Sequence, residues 1–335
     1  MINELMELSE KVVAKSKQDP VLLARMELAS QGQSPQFLLI SPITRSGQDL
    51  QLFSMSQGDA LHASRVPNYA LLPPDLAPTL FKGPASFNSK FPNKRGVIVT
   101  FDIDESMEIV RETIENIPQH PDLRSLPIIA FQVNYENGRV KIIVHGKGRN
   151  YEYENKFMHR IRIPDELDDS LLVLICSDSR VRPPNTKKGV PMSISTLGGY
   201  IPEYSHNGDE TSQLNHFFEK WLSSRNETKR ILIVAHGNFE GEGPSCSVGI
   251  ASLHPHTISN PSLRPVIEEL ERAAAGFENS SPQSPEDRVK SLTKATKANL
   301  LTYPAIKEAH DIFRLEIDEL LMDTVTNTLF QFDVI

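Results

Sequence analysis

Only two cysteines occur in the 335 residues. That scarcity excludes a disulfide-rich scaffold, a zinc site built wholly of cysteine, and a four-cysteine iron–sulfur centre within one chain. Any metal site has to be mixed. Positive charge is short as well: 35 Lys and Arg against 43 Asp and Glu leave a net charge of −8. This argues against a nucleic-acid partner, because phosphate contacts need a basic surface. No apolar run approaches the roughly 20 residues needed to span a bilayer. The segment Met1 to Glu10 is acidic and amphipathic, unlike a secretory leader. A soluble chain of the cytoplasm or another intracellular compartment is expected, with one large domain or two ordinary ones.

Apolar residues at Leu5, Leu8, Val12 and Val13 predict an amphipathic helix over 2–16. A short strand is expected at Phe37 to Ile40 and an apolar alternation around Leu50 to Met55. Six prolines between Val66 and Asn93 predict an extended, surface-hugging connection, since each lacks a backbone donor. Gly96 to Asp102 reads as a strand and Glu105 to Ile117 as a helix. Pro127 to Val133 and Arg139 to His145 read as a hairpin turning at Asn137-Gly138, with a further strand from Tyr151 to Ile163. No internal repeat is visible. Residues 1–164 are expected to form a mixed α+β N-terminal domain of unknown role.

The pattern changes after Pro164. Leu171 to Ile175 and Ile231 to Ala235 are continuous apolar runs, as expected of strands buried on both faces of a parallel sheet. Leu214, Phe217, Phe218, Trp221 and Leu222 share a helical face between them, which implies a right-handed crossover. Helices are expected at 263–275 and 285–301, a short turn at 305–310, and closing strands at 313–321 and 328–334. Residues 165–335 are thus expected to be an α/β domain.

Both buried strands end at a potential metal ligand: Cys176 after the first, His236 after the second. In open parallel sheets, sites sit beyond the carboxyl ends of the strands. Cys246 follows ten positions after His236, ahead of a short expected helix at 247–253. If the intervening loop folds back over the sheet edge, Cys176, His236 and Cys246 complete a Cys2His set suited to zinc. If it does not, His254 or His256 is the substitute, or the three are ordinary buried side chains. In Cys176-Ser177-Asp178-Ser179-Arg180, an arginine holding Asp178 by paired hydrogen bonds would keep that carboxylate ionised and aimed.

At these residues the sequence resembles the β-carbonic anhydrase family, whose hallmark is Cys-x-Asp-x-Arg after a buried strand. The likeness extends through Ser195 to Tyr200 (STLGGY), the crossover helix, the strand end ILIVAHG, and the region from Asn299. It covers about residues 165–335. The resemblance implies a mainly parallel sheet flanked by helices, and Zn2+ held by Cys176, His236 and Cys246. It also implies Asp178 and Arg180 as the catalytic dyad, reversible hydration of carbon dioxide to bicarbonate, and a homodimer or higher homo-oligomer. Two features depart from the family: Phe239 stands where His-x-x-Cys would put a ligand, and STLGGY replaces an Arg-Asn-Ala-Gly-Asn type of loop.

Other readings are weaker. Cys176 and Arg182 satisfy the Cys-x5-Arg loop of cysteine phosphatases, yet Asp178 inside it would repel phosphate, and Pro183 and Pro184 interrupt the helix it needs. Gly237, Gly241 and Gly243 miss both common nucleotide-loop spacings. Asp102 and Asp104 are more simply solvated turn residues than cation ligands. A catalytically silent assembly or bicarbonate-sensing module, and hydrolysis of a carbon dioxide analogue such as carbon disulfide, remain as alternatives. Among His206, His216, His254 and His256 none stands out as a proton shuttle.

Overall fold

The computed structural model describes residues 2–91, 95–147, 150–157, 164–207, 209–223, 228–239, 243–277 and 284–332. Two helices, α1 (Ile2–Ser16) and α2 (Pro20–Ser30), precede a six-stranded sheet. Its strands are β1 (Phe37–Pro42), β2 (Ala60–Arg65), β3 (Gly96–Asp102), β4 (Pro127–Asn134), β5 (Arg139–Lys147) and β6 (Asn150–Phe157), in the order β2-β1-β3-β4-β5-β6. The first four are parallel, and β5 and β6 run antiparallel. Helices α3 (Ser46–Leu52), α4 (Gly83–Asn88) and α5 (Met107–Asn116) connect them.

The second sheet holds β7 (Leu167–Cys176), β8 (Val190–Thr196), β9 (Lys229–Gly237), β10 (Leu315–Asp323) and β11 (Leu329–Gln331), in the order β11-β10-β9-β7-β8. Only β11 is antiparallel. Leu171 to Ile175 and Ile231 to Ala235 are buried, which is why they carry no polar alternation. The crossover helix α6 (Glu210–Ser223) lays Leu214, Phe218 and Trp221 on one face of the sheet. Helices α7 (Ser247–Leu253), α8 (Arg264–Ala275), α9 (Pro285–Leu300) and α10 (Pro304–Asp311) follow. Ser284 caps α9 by accepting from the Asp287 amide at 3.1 Å. No helix among the described residues is long and apolar enough to cross a membrane.

Several expectations change. The proline-rich segment does not hug the surface throughout: Leu71, Ala77, Leu80, Phe81, Ala85 and Phe87 are buried. Pro78 opens a π-helical turn (Pro78–Lys82) and Pro84 lies in the first turn of α4, where a missing amide hydrogen costs no intrahelical bond. The buried Glu210 carboxylate at the head of α6 accepts the Thr79 and Leu80 amides, both at 2.8 Å. The alternation near Leu50 belongs to helix α3, and the turn expected at 305–310 is helix α10. The hairpin at Asn137-Gly138 forms, with Gly138 at φ 67°. The strand expected to reach Ile163 ends at Phe157, and 158–163 and 333–334 lie outside the described residues.

The two sheets meet at their β2 and β8 edges. One hydrophobic cluster runs through Leu38, Val97 and Phe101 of the first and Val173, Ile175 and Leu232 of the second. A second cluster joins Ile43, Val66 and Leu80 to Leu174, Met192 and Trp221. Burial is shared, so each half covers apolar surface of the other.

Candidate metal centre

Parallel pairing brings the carboxyl ends of β7 and β9 together: Ile175 faces Val234, which sets Cys176 and His236 at the same edge. The chain then leaves β9 and returns to place Cys246 as the residue preceding α7. Glu240 to Glu242, within the lengthened loop, lie outside the described residues. Ligand atoms of Cys176, His236 and Cys246 all lie within 4.8 Å of one another. The exposures of the three side chains are 3%, 1% and 0%. His254 and His256 meet edge to face with ring centroids 6.2 Å apart and do not join the cluster.

Neighbouring groups orient each donor. Gly198 donates its amide to Cys176 Sγ at 3.3 Å. It does so from φ 67°, and a Cβ there would come within 3.2 Å of both Leu292 and Val248, so glycine is required at this point. The unexpected STLGGY segment therefore supports the thiol. The Thr324 hydroxyl lies 2.9 Å from His236 Nδ1 and donates to the Gly237 carbonyl at 3.1 Å. With its one hydrogen committed there, Thr324 accepts from Nδ1–H, which leaves Nε2 to face the cluster. Nε2 is buried without a hydrogen-bond partner. An orphaned buried nitrogen between two thiols fits a borderline-soft metal such as zinc.

Asp178 and Arg180 form the expected pair. Arg180 Nε and Nη2 reach the two carboxylate oxygens at 2.9 and 2.6 Å, and the Arg180 amide adds a bond at 2.9 Å. Both side chains are buried. Oδ2 of Asp178 lies 4.0 Å from His236 Nε2, beside the cluster. Burial would raise the Asp178 pKa, but the Arg180 guanidinium outweighs it and holds the carboxyl below its usual value.

The thiols divide in the metal-free chain. Burial, followed by the adjacent Cys246 and Asp178, pushes Cys176 up. Burial acts on Cys246 in the same sense, yet its bond with Cys176 and the nearby His236 outweigh it and hold Cys246 down. Burial would lower His236, and the Cys246 and Asp178 charges raise it instead. A metal would displace the protons these groups share, as thiolate and imidazole ligands require.

The other candidates are accounted for differently. Arg182 does not turn back on Cys176. Its Nη2 donates to the Ser56 carbonyl, and Nη1 lies 3.3 Å from His62 Nε2, which removes the phosphatase cradle. Asp102 is bound by Arg45 through Nε at 3.2 Å and Nη2 at 3.0 Å. His206 contacts Tyr204, and His216 lies 3.4 Å from Glu219. Sequence reasoning missed Thr324, because nothing local marks a hairpin threonine as the partner of a histidine 88 residues earlier. It also missed Gln57, whose Nε2 donates to the Thr324 and Val325 carbonyls at 3.2 and 3.0 Å.

No family model matches the chain, and no curated protein matches it. Among solved structures it is similar to the β-carbonic anhydrase CcaA, at 22% identity over 48% of this chain and 71% of that one, with a TM-score of 0.38. It is also similar to a Coccomyxa β-carbonic anhydrase in complex with acetazolamide, at 19% identity, 48% and 71% coverage and a TM-score of 0.34. The apo form of a carbon disulfide hydrolase matches at 17% identity, over 50% of this chain and 79% of that one, with a TM-score of 0.29. The C-terminal half of the chain is a mainly parallel sheet flanked by helices, which delivers Cys176, Asp178, Arg180 and His236 to one edge, and it is to β-carbonic anhydrases that the chain is similar among these solved structures.

Proposed function

We propose that the chain is a zinc-dependent carbonic anhydrase, catalysing reversible hydration of carbon dioxide to bicarbonate. The observation that carries the reading is the convergence of Cys176, His236 and Cys246 beside a carboxylate already fixed by Arg180. Cys176 and Cys246 would hold the ion as thiolates and His236 through Nε2. Zinc, when bound, acts as a Lewis acid that makes hydroxide available near neutral pH.

The chain's own residues supply the rest. Asp178 accepts at Oδ2 the hydrogen of the attacking hydroxyl, which turns a lone pair towards the carbon of the substrate. Arg180 keeps Asp178 ionised and in one rotamer by the paired bonds. Thr324 keeps the proton of His236 on Nδ1, so Nε2 remains a donor atom. Burial of all six groups limits competing water.

The test is metal analysis and stopped-flow carbon dioxide hydration on the parent chain and on Cys176→Ser and Cys246→Ser. About one zinc per parent chain is expected, with hydration activity, and loss of both in each variant. Undiminished zinc in Cys246→Ser would remove Cys246 from the site. Zinc without turnover would turn the reading towards a silent assembly or bicarbonate-sensing module. Zinc with hydrolysis of carbon disulfide alone would move the substrate to that analogue.

A further inference from the structure

The two sheets share one strand order and sense. Taken from the edge, β2-β1-β3-β4-β5 and β8-β7-β9-β10-β11 each place four parallel strands before an antiparallel fifth. Order alone recurs among unrelated doubly wound sheets. Register is more demanding. Ile40 faces Val99 in the first sheet and Leu174 faces Ile233 in the second, with the same separation along the chain. On the other flank, Ser41 faces Ser64 and Ile175 faces Ser195.

The closing hairpins match bond for bond. Val133 faces Val140 and Met322 faces Leu329, again at equal separation. In the first turn, Asn134 Oδ1 accepts the Glu136 and Asn137 amides at 3.1 and 3.3 Å. Gly138, at φ 67°, donates to the Asn134 carbonyl at 2.9 Å. In the second, Asp323 Oδ1 accepts the Val325 and Thr326 amides at 3.0 and 2.9 Å. Asn327, at φ 59°, donates to the Asp323 carbonyl at 2.9 Å.

The junction between the sheets obeys the same correspondence. His62 donates its amide to the Ser177 carbonyl at 3.3 Å; by register the counterparts of these residues are Ser193 and Ile43, and Ser193 donates to the Ile43 carbonyl at 3.0 Å. Between the two bonds, Ser195 N donates to Ser64 Oγ at 2.7 Å, and these serines are each other's counterparts. Reciprocal contacts of this kind define a twofold interface. Here both sides belong to one chain.

We infer that residues 37–147 are a degenerate second copy of the metal-side fold, docked across an internal pseudo-twofold axis, so that the chain covers its own β8 edge. The counterparts of Cys176 and His236 are Pro42, which has no ligand atom, and Asp102, which Arg45 occupies. The N-terminal copy also braces the other. His62 N and Gly58 N hold the carbonyls of Ser177 and Ser179, on either side of Asp178, at 3.3 and 2.7 Å. That bracing role rests on the proposed metal reading, whereas the duplication does not. At this interface both partners come from within the chain.

Hydrogen exchange on the unaltered chain tests this, read by mass spectrometry on peptides spanning 60–65 and 190–196. The His62, Ser193 and Ser195 amides should be protected equally before and after about 100-fold dilution, since an intramolecular contact does not depend on concentration. Protection that falls on dilution overturns the inference, as does exchange at the rate of an open loop. The double variant Ser64→Cys/Ser195→Cys gives a second readout: oxidation should link the two within one chain, and a disulfide between chains overturns it. Zinc is counted on the same sample. One ion per chain is expected, and two would overturn the degeneracy of the N-terminal copy. A zinc-free chain with dilution-independent protection removes the metal reading and leaves the duplication standing.

Discussion

Thr324→Val is the sharpest test of how the chain prepares His236. The substitution keeps the shape of the side chain and deletes the hydroxyl that lies 2.9 Å from Nδ1. Gly237 O loses one donor but keeps the Thr324 amide at 2.9 Å, so the backbone loses little. The imidazole N–H, on a side chain only 1% exposed, is left without an acceptor at a cost of about 1–3 kcal/mol. It has an escape: the proton can move to Nε2, where the Asp178 carboxylate lies 4.0 Å away, and that tautomer has no lone pair on the nitrogen that faces the cluster. Removing the outer partner of a ligating histidine commonly lowers metal affinity by about 10–100-fold, in line with the energy of the lost bond. Competition with a chromophoric chelator near pH 7.5 would measure it, with Thr324→Ser expected within a few-fold of the parent. Parental zinc affinity in a folded Thr324→Val chain would refute the argument that Thr324 sets the tautomer.

Asp178→Ala strips Arg180 of both carboxylate bonds and leaves a buried guanidinium, so urea unfolding should show a loss of about 3–5 kcal/mol. Zinc should be retained while carbon dioxide hydration is lost; unchanged hydration removes Asp178 from the mechanism. Glu210 tests linkage between stability and pH. Burial pushes its pKa up to about 7, outweighing the Thr79 and Leu80 amides it accepts. Because the folded value is raised, its contribution is fully present below the unfolded pKa and is lost as pH rises through about 7. Relative to Glu210→Gln, the parent should therefore lose roughly 2–3 kcal/mol between about pH 5 and pH 8. Urea midpoints that shift in parallel across that range would contradict this.

The C-terminal half was legible where burial erases alternation. Leu171 to Ile175 and Ile231 to Ala235 could be read as strands because both faces are covered, and their ends pointed to Cys176 and His236. Cys246 was reachable only as an expectation, since loop closure is not written in local pattern. The proline-rich segment misled because Pro78 and Pro84 occupy first turns while its apolar residues face a core that only tertiary contact creates. The duplication is not visible as a repeat in the sequence. It survives in register, hairpin length and the sense of φ, none of which a single sequence displays.

The paired hairpins carry a further consequence. One turn meets its left-handed position with Gly138, which adopts it without steric cost. The other uses Asn327, which tolerates that region less freely than glycine. Asn327 spends its side chain on the loop after β7: Nδ2 donates to the Arg180 carbonyl at 3.1 Å, and Oδ1 accepts the Arg182 amide at 2.9 Å. The first hairpin carries the residue that suits its turn, whereas the hairpin beside the cluster carries one that also suits its neighbour. The conformational cost of a non-glycine residue in the left-handed region thus falls on the hairpin beside the cluster, where the same side chain ties the turn to the loop that carries Arg180.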